Sequence, residues 1–216
     1  MEGMAPTPKL LALCRVAALL PDEGGPAGVT AIDKRPVDGP VRVKPYGVYG
    51  DVQGDRKNHG GLFQAVYAYA QEDADWWAGQ LGRDVPPGLF GENLRTHGVE
   101  VSGAEIGERW RIGAQLVLEV TAPRTPCATF QRRMGEPRWV SRFAQANRTG
   151  AYLRVVERGA IAAGDDIEVL HRPGHGVTVQ RFFATKMRGA AYDFARTLAQ
   201  HQPVDQLHPD IAALVS

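Results

Sequence analysis

Hydrophobic and polar residues alternate in short runs along most of the chain, from about residue 10 to about residue 170. The clearest run is Gln115 to Thr121, in which Leu116, Leu118 and Val120 fall on one face and mostly polar residues fall on the other. A period of two is typical of a β-strand with one buried face. The pattern therefore predicts a half-buried strand here and a strand-rich domain around it.

Seven further runs rich in β-branched or aromatic residues are bounded by Gly, Pro or Asp, which predicts strands. They are Leu10 to Ala18, Thr30 to Lys34, Gly47 to Val52, Gln64 to Tyr69, Arg109 to Ile112, Ala151 to Glu157 and Asp166 to Leu170. Two stretches predict helices, Gln71 to Leu81, with acidic residues in its opening turns, and Trp139 to Ala146. Many strands and few helices indicate a barrel or a sandwich.

Beyond the glycine-rich segment near residue 174 the hydrophobic residues adopt helical spacing. This tail predicts three short helices, separated by Gly189 and by Gln202-Pro203. A segment of about 40 residues cannot easily hold a stable core alone. We therefore expect a strand-rich domain over residues 1–172 and a three-helix extension over residues 173–216 that docks on it or on another subunit.

The composition of the chain is that of a globular protein. Of its 216 residues, 44% are hydrophobic and 23% are charged, which excludes disordered, collagen-like and coiled-coil classes. The 25 glycines and 15 prolines disfavour a helical bundle. A net charge of +1 gives no general electrostatic footprint for nucleic acid or anionic membrane, and no apolar run approaches the roughly 20 residues of a membrane span. We expect neither partner.

The two cysteines, Cys14 and Cys127, are too few for a disulfide-dense secreted scaffold or a four-thiolate metal site. They predict a reducing, cytoplasmic location. Because Cys14 lies inside the first apolar strand, we do not expect a redox pair. The chain also lacks the sequence signatures of a phosphate loop, a dinucleotide-binding turn, a zinc-protease helix and a serine-hydrolase elbow.

The sharpest chemical feature is the segment Pro123-Arg124-Thr125-Pro126-Cys127, directly after the clearest strand. Pro126 fixes its own φ angle and biases Thr125 towards an extended conformation, so the Cys127 thiol leaves the strand end in a defined direction. Arg124 is close enough in sequence to favour the thiolate. A buried structural cysteine in a proline-bounded turn is the alternative, and spacing alone favours that alternative.

Three other segments carry polar groups beside turns. The double glycine of Asn58-His59-Gly60-Gly61 permits positive φ angles, and successive N–H groups in such a turn can bind an anion. A hairpin turn with a basic rim is the alternative. Lys34-Arg35 ends a strand, where solvated surface charge is the usual explanation. Phe90-Gly91-Glu92-Asn93-Leu94, taken alone, is a turn.

In this order the segments resemble the MOSC family, the domain found at the C-terminus of molybdenum cofactor sulfurases and as stand-alone bacterial proteins, and in particular its YiiM-like subgroup. The resemblance covers nearly all of residues 10–172, and the tail resembles the three-helix extension of that subgroup. The motifs are Asp33-Lys34-Arg35-Pro36-Val37, Gly50-Asp51 with Gln53 and Asp55, His59-Gly60-Gly61, Ala65-Val66-Tyr67, Phe90-Gly91-Glu92-Asn93-Leu94, Ile106-Gly107, and Pro123-Arg124 with Pro126-Cys127. The resemblance implies a mainly β fold, a mixed β-barrel with a few helices.

The resemblance also implies a pocket for the molybdenum cofactor, molybdopterin. Cys127 would be the thiolate ligand to molybdenum, because thiolate is a soft donor suited to a redox metal, and His59 would be a proton donor. Fixed cations and amide groups would hold the anionic cofactor. These cofactor-binding residues would be Lys34, Arg35, Asn58, Gly60, Gly61, Glu92, Asn93 and Arg124.

Relatives of this kind are associated with reductive removal of N-bound hydroxyl groups, including those of N-hydroxylated nucleobase analogues, so the resemblance implies a detoxifying reductase. Because the chain shows no flavin, NAD or iron–sulfur signature, the electrons should come from a separate flavin or iron–sulfur protein. One alternative is a carrier that holds the cofactor or a sulfur atom on Cys127 without turnover. Another is a scaffold with a structural cysteine. We expect a monomer or a homodimer.

Overall fold

The computed structural model describes residues 7–25, 27–53 and 60–216. The strands within these residues are β1 (Lys9–Pro21), β2 (Val29–Pro36), β3 (Val41–Lys44), β4 (Gly47–Val48), β5 (Val66–Ala70), β6 (Leu94–His97), β7 (Arg109–Ile112), β8 (Leu116–Pro123), β9 (Ala151–Glu157), β10 (Gly159–Ile161) and β11 (Ile167–His171). The helices there are α1 (Gln71–Leu81), α2 (Ala128–Met134), α3 (Trp139–Ala146), α4 (Val179–Lys186), α5 (Tyr192–His201) and α6 (Pro209–Ala212), with short 3-10 helices at Leu62–Gln64 and Val204–Gln206.

Eight strands form one sheet in the order β11-β7-β8-β9-β5-β6-β1-β2, and β10, β3 and β4 form a second, smaller sheet. The neighbours β5 and β6 are parallel, and α1 makes the crossover between them. The predicted strand-rich fold with several helices is confirmed.

The large sheet curls, but among the described residues its strand ladder does not close into a continuous barrel. Instead, Lys9 at the start of β1 forms an isolated antiparallel bridge with Asp166 beside β11. The backbone N–H of Leu10 also donates to the carbonyl oxygen of Asp165 at 2.9 Å. The edge strand β11 therefore meets the start of β1, the strand next to the other edge strand β2, through a few backbone contacts. This is where the structure differs from the predicted barrel.

Strand β8 is buried on both faces, so its prediction as a half-buried strand was wrong. Leu116, Leu118 and Val120 pack in the main core, as the pattern predicts. On the polar face, Glu119 accepts hydrogen bonds from Arg109 Nε and Arg154 Nε, both at 2.8 Å, which satisfies its carboxylate in a buried position. Arg109 lies on the neighbouring strand β7, whereas Arg154 comes from β9, 35 residues along the chain.

The helices α1 and α3 and the strands β7 and β9 have the predicted bounds. The elements β3, β6, β10 and α2 were not predicted, and all four are short. The strand predicted from Gly47 to Val52 ends at Val48, because the chain turns through Gly50, whose φ angle is 82°.

The tail forms the three predicted helices and packs against the strand-rich part of the chain. Phe182, Leu198 and Ile211 belong to the same buried cluster as core residues of β7 and β8. None of the helices in the described residues is long and apolar enough to cross a membrane.

A second buried cluster consists mainly of aromatic rings and joins α1, α2 and α3 to the turn before β6. Phe90 and Phe130 meet edge to face, with ring centroids 5.4 Å apart, and Phe143 contacts both rings. Such contacts add to the hydrophobic burial of large rings. The cluster fixes α2 and the turn that precedes β6, and both elements contribute to the site described next.

Candidate functional site

A cavity of about 170 Å³ lies where the ends of β2, β5 and β8 approach the turn before β6. Its wall brings together four of the predicted site residues, Lys34, Asn93, Arg124 and Cys127. They come from separate parts of the chain, and strand pairing and the aromatic cluster bring them together.

Cys127 lies in the segment between β8 and α2 and has an extended backbone, with φ −132° and ψ 173°. Its side chain is half-buried and forms part of the cavity wall. Tyr152 lies next to it, and a charge on Cys127 would act on this phenol. The thiol direction predicted from Pro126 depends on an extended Thr125 and stays a prediction.

Cys14, in contrast, is completely buried in β1. Burial, followed by the nearby Glu92 carboxylate, raises the pKa of the Cys14 thiol to about 12. Cys14 is therefore a protonated thiol at neutral pH, and a protonated thiol is a poor metal ligand and a poor nucleophile.

The guanidinium group of Arg124 carries an unsatisfied hydrogen-bond donor. Arg124 is only 6% exposed, and its central carbon lies 3.6 Å from the centroid of the Phe130 ring. The buried NH1 nitrogen has no hydrogen-bond partner among the described residues. Because a buried donor without an acceptor costs free energy, an anionic ligand in this cavity would satisfy both the charge and the donor.

Lys34 and Asn93 belong to a hydrogen-bonded group around Asp51. Oδ2 of Asp51 accepts from Lys34 Nζ at 2.6 Å and from Asn93 Nδ2 at 2.8 Å, while Oδ1 accepts from the backbone N–H of Val16 at 2.8 Å. Lys34 is thus already paired with a carboxylate, so Arg124 is the stronger candidate for binding an anion. Asp51 was not predicted as a site residue.

Arg35 is not in the cavity wall. Its side chain is 70% exposed and its NH2 nitrogen lies 3.1 Å from Oδ2 of Asp33. Successive residues of a strand point to opposite faces, and Lys34 occupies the cavity side of β2. Solvated surface charge, the usual explanation for adjacent cations at a strand end, therefore applies to Arg35 but not to Lys34.

Glu92 does not line the cavity either. Its fully buried carboxylate accepts from the backbone N–H groups of Gly88 at 2.8 Å and Phe90 at 3.1 Å, and forms an ion pair with the fully buried Arg95. This network shapes the turn before β6. The turn packs so closely on β2 that a Cβ at position 88 would lie 2.2 Å from the carbonyl oxygen of Lys34. Gly88 also has a positive φ of 86°, so both the space and the backbone conformation favour glycine.

The predicted residues Asn58 and His59 lie outside the described residues. Gly60 and Gly61 are described but are not among the residues lining the cavity. Gly61 has the positive φ expected from the double glycine, 88°, and its N–H donates to Oε1 of Gln53 at 2.9 Å. That N–H is therefore already satisfied within the protein.

The cavity residues that were not foreseen as site residues include Gln64, Tyr67 and Tyr152. Burial raises the pKa of both tyrosines, so their phenols are protonated at neutral pH. Tyr67 was part of a quoted motif, but nothing local distinguishes an aromatic residue of a cavity wall from one of the core.

Fold and site together define a sheet-dominated protein with a small cavity whose wall offers a thiol and a guanidinium group. The chain belongs to the MOSC domain family: the family model described as MOSC domain matches residues 55–168. It is 35% identical over 151 residues to the uncharacterized protein YflK of Bacillus subtilis, and the matched region covers 70% of this chain and 68% of YflK. It is 30% identical over 187 residues to protein YiiM of Escherichia coli, and the matched region covers 85% of this chain and 75% of YiiM.

A third relative, named "Reductase", comes from Gibberella moniliformis and is 36% identical over 179 residues. The match covers 78% of this chain but only 31% of the relative.

Solved structures with the same fold include two YiiM proteins. YiiM from Geobacillus stearothermophilus has a TM-score of 0.76 at 22% identity, and the superposition covers 95% of this chain and 96% of the YiiM chain. YiiM from Escherichia coli has a TM-score of 0.69 at 23% identity and covers 83% and 84%, respectively. The sheet-dominated fold of the present chain is thus that of YiiM-like MOSC structures.

Proposed function

We propose that this chain is a molybdenum-cofactor-dependent reductase of N-hydroxylated compounds, such as N-hydroxylated nucleobase analogues, with a role in detoxification. The observation that carries the proposal is the presence of Cys127 and the unsatisfied Arg124 guanidinium in the wall of one cavity. MOSC domains are associated with binding of the molybdenum cofactor, and the fungal relative named reductase agrees with reductive chemistry.

The residues of the cavity fit this cofactor in donor chemistry, charge and aromatic surface. Cys127 offers one soft sulfur donor, and a cofactor whose organic part already chelates the metal needs only one more ligand from the protein. Arg124 offers a cation and an N–H donor to its anionic part. Tyr67 and Phe90 add aromatic surface against which a flat ring system can pack.

The bound cofactor would supply the two-electron redox chemistry that removes oxygen from an N–OH group. The protein would supply position and protons. Conversion of N–OH to N–H with release of water consumes two electrons and two protons. Lys34 donates a hydrogen bond from Nζ to Asp51, and the phenol oxygen of Tyr152 carries a proton. Both side chains can therefore hydrogen-bond to a substrate in the cavity. His59, the proton donor implied by the family resemblance, remains part of the proposal.

The electrons would come from a separate flavin or iron–sulfur protein. The proposal further assigns the chain to the cytoplasm, as a monomer or a homodimer with no nucleic-acid or membrane partner.

Metal analysis and an activity assay test the proposal together. Protein purified under reducing conditions should contain about one molybdenum per chain, and with a reduced viologen dye as electron donor it should convert N-hydroxylated adenine to adenine. Bound molybdenum without turnover of any N-hydroxylated base would favour the cofactor carrier. Absence of molybdenum from protein made in cells with ample cofactor would contradict both functions.

The Arg124→Met variant should retain the fold and lose most of the cofactor. Methionine keeps much of the packing against Phe130 but removes the charge and the unsatisfied N–H. Because a hydrogen bond from a charged group contributes about 1.5–3 kcal/mol, we expect molybdenum affinity to fall about tenfold to a hundredfold. The exposed Arg172, whose side chain pairs with Glu108, provides the matched control Arg172→Met. Equal molybdenum content in the two variants would contradict the role of Arg124.

A further inference from the structure

A second, smaller cavity of about 70 Å³ lies between the tail and the strand-rich part of the chain. It shares Gln64, Thr125 and Tyr152 with the larger cavity. Its remaining polar wall comes from the tail and includes His208 and Asp210. The tail therefore reaches side chains of the candidate cofactor site.

His208 is the N-cap residue directly before α6 and is almost completely buried, with 6% of its surface exposed. Its Nδ1 accepts a hydrogen bond from the backbone N–H of Asp210 at 3.2 Å. Burial lowers the pKa of His208, the neighbouring Asp210 carboxylate raises it and Lys186 lowers it. A neutral imidazole that accepts at Nδ1 carries its proton at Nε2, so Nε2 must donate.

The partner of this Nε2 is the side-chain amide of Gln64. In the structure the Gln64 amide nitrogen lies 2.9 Å from His208 Nε2, while the buried Oε1 of Gln64 has no hydrogen-bond partner among the described residues. Two donors cannot form a hydrogen bond with each other. A half-turn about the Cγ–Cδ bond exchanges the two amide atoms, so that Oε1 accepts from His208 and the amide nitrogen takes the other position.

We propose that His208 is a positioning residue, which fixes the Gln64 amide so that its N–H groups face the larger cavity and donate to an acceptor atom of the cofactor. Gln64 is part of the wall of both cavities, and after the half-turn its amide nitrogen lies on the side away from His208. Its N–H groups can then donate to an acceptor on a ligand bound in the larger cavity. The inference rests on the proposed function. It gives the tail a part in cofactor binding.

The orientation is testable without cofactor by NMR of protein labelled with ¹⁵N at histidine. Long-range proton–nitrogen spectra at neutral pH should show His208 as the neutral tautomer with the proton on Nε2. A ring protonated on both nitrogens, or a proton on Nδ1, would overturn the proposal.

The His208→Asn variant separates the two hydrogen bonds of this residue. Asparagine is a favourable residue at the start of a helix and can still accept from the Asp210 N–H, but it is too short to reach Gln64. We expect thermal stability to change little and molybdenum per chain, after dialysis, to fall about threefold to tenfold, as for loss of a neutral hydrogen bond. The control is His201→Asn on the exposed end of α5, which should bind molybdenum normally.

A double-mutant cycle then shows whether His208 acts through Gln64. Gln64→Leu should lower molybdenum occupancy as much as His208→Asn, and the double variant should lower it no further. Additive losses, or normal occupancy in either single variant, would overturn the inference while leaving the proposed function intact. If the unaltered protein binds no molybdenum, the proposed function is wrong. The cofactor is then also ruled out as the acceptor of the hydrogen bond from Gln64.

Discussion

Replacement of Cys127 by alanine is expected to remove molybdenum from the protein almost completely. Cys127 is the cysteine whose side chain reaches the larger cavity, and the proposal makes its sulfur the ligand that joins metal to protein. Loss of residues that merely support a metal ligand commonly lowers affinity tenfold to a hundredfold, so loss of the ligand itself should cost about a hundredfold or more. Metal analysis after purification under reducing conditions measures the effect.

The matched control is Cys14→Ala. Cys14 lies in the core of β1 and, with a pKa of about 12, keeps its proton at neutral pH. Its replacement should lower the free energy of unfolding by about 1–3 kcal/mol and leave the molybdenum content unchanged. If Cys127→Ala keeps its molybdenum, or both variants lose it equally, Cys127 is not the ligand.

Replacement of Glu92 by alanine is expected to destabilise the fold by about 3–5 kcal/mol, because it leaves the guanidinium of Arg95 buried without its counter-charge. Neither side chain of this pair has any exposed surface. The backbone N–H groups of Gly88 and Phe90 would also lose their acceptor. Equilibrium denaturation by urea gives the change in unfolding free energy.

The exposed carboxylate of Glu168, which pairs with Arg111 at the surface, provides the control. Glu168→Ala should change stability by about 0–1 kcal/mol. The family resemblance assigned Glu92 to cofactor binding, whereas its position in the structure indicates a role in shaping the turn before β6. A stable Glu92→Ala variant that selectively lost molybdenum would restore the first interpretation.

Features of the fold with local causes could be predicted from the sequence. Helix α1 has acidic residues in its first turn and a left-handed glycine, Gly82, at its end, and both signals lie within the segment itself. The burial of β8 on both faces could not be predicted, because its cover is supplied by distant residues such as Arg154. Strand β6 contains the buried Arg95, which the sequence pattern marks as exposed until its partner Glu92 is known.

The site was predictable to a similar extent. Segment order and family resemblance identified Lys34, Asn93, Arg124 and Cys127, which the fold gathers around one cavity. The adjacent Arg35 points to the other face of β2, and a motif of consecutive residues carries no information about which of two neighbours faces a cavity. The contact between Gln64 and His208 joins positions 144 residues apart and has no local signal.

Anomalous X-ray diffraction from crystals of the cofactor-loaded protein, recorded at the molybdenum absorption edge, shows whether Cys127 binds the metal. We expect one strong anomalous peak within bonding distance of Cys127 Sγ, in the cavity lined by Arg124. A molybdenum peak elsewhere in the protein, with the Cys127 sulfur bonded to no metal, would contradict it.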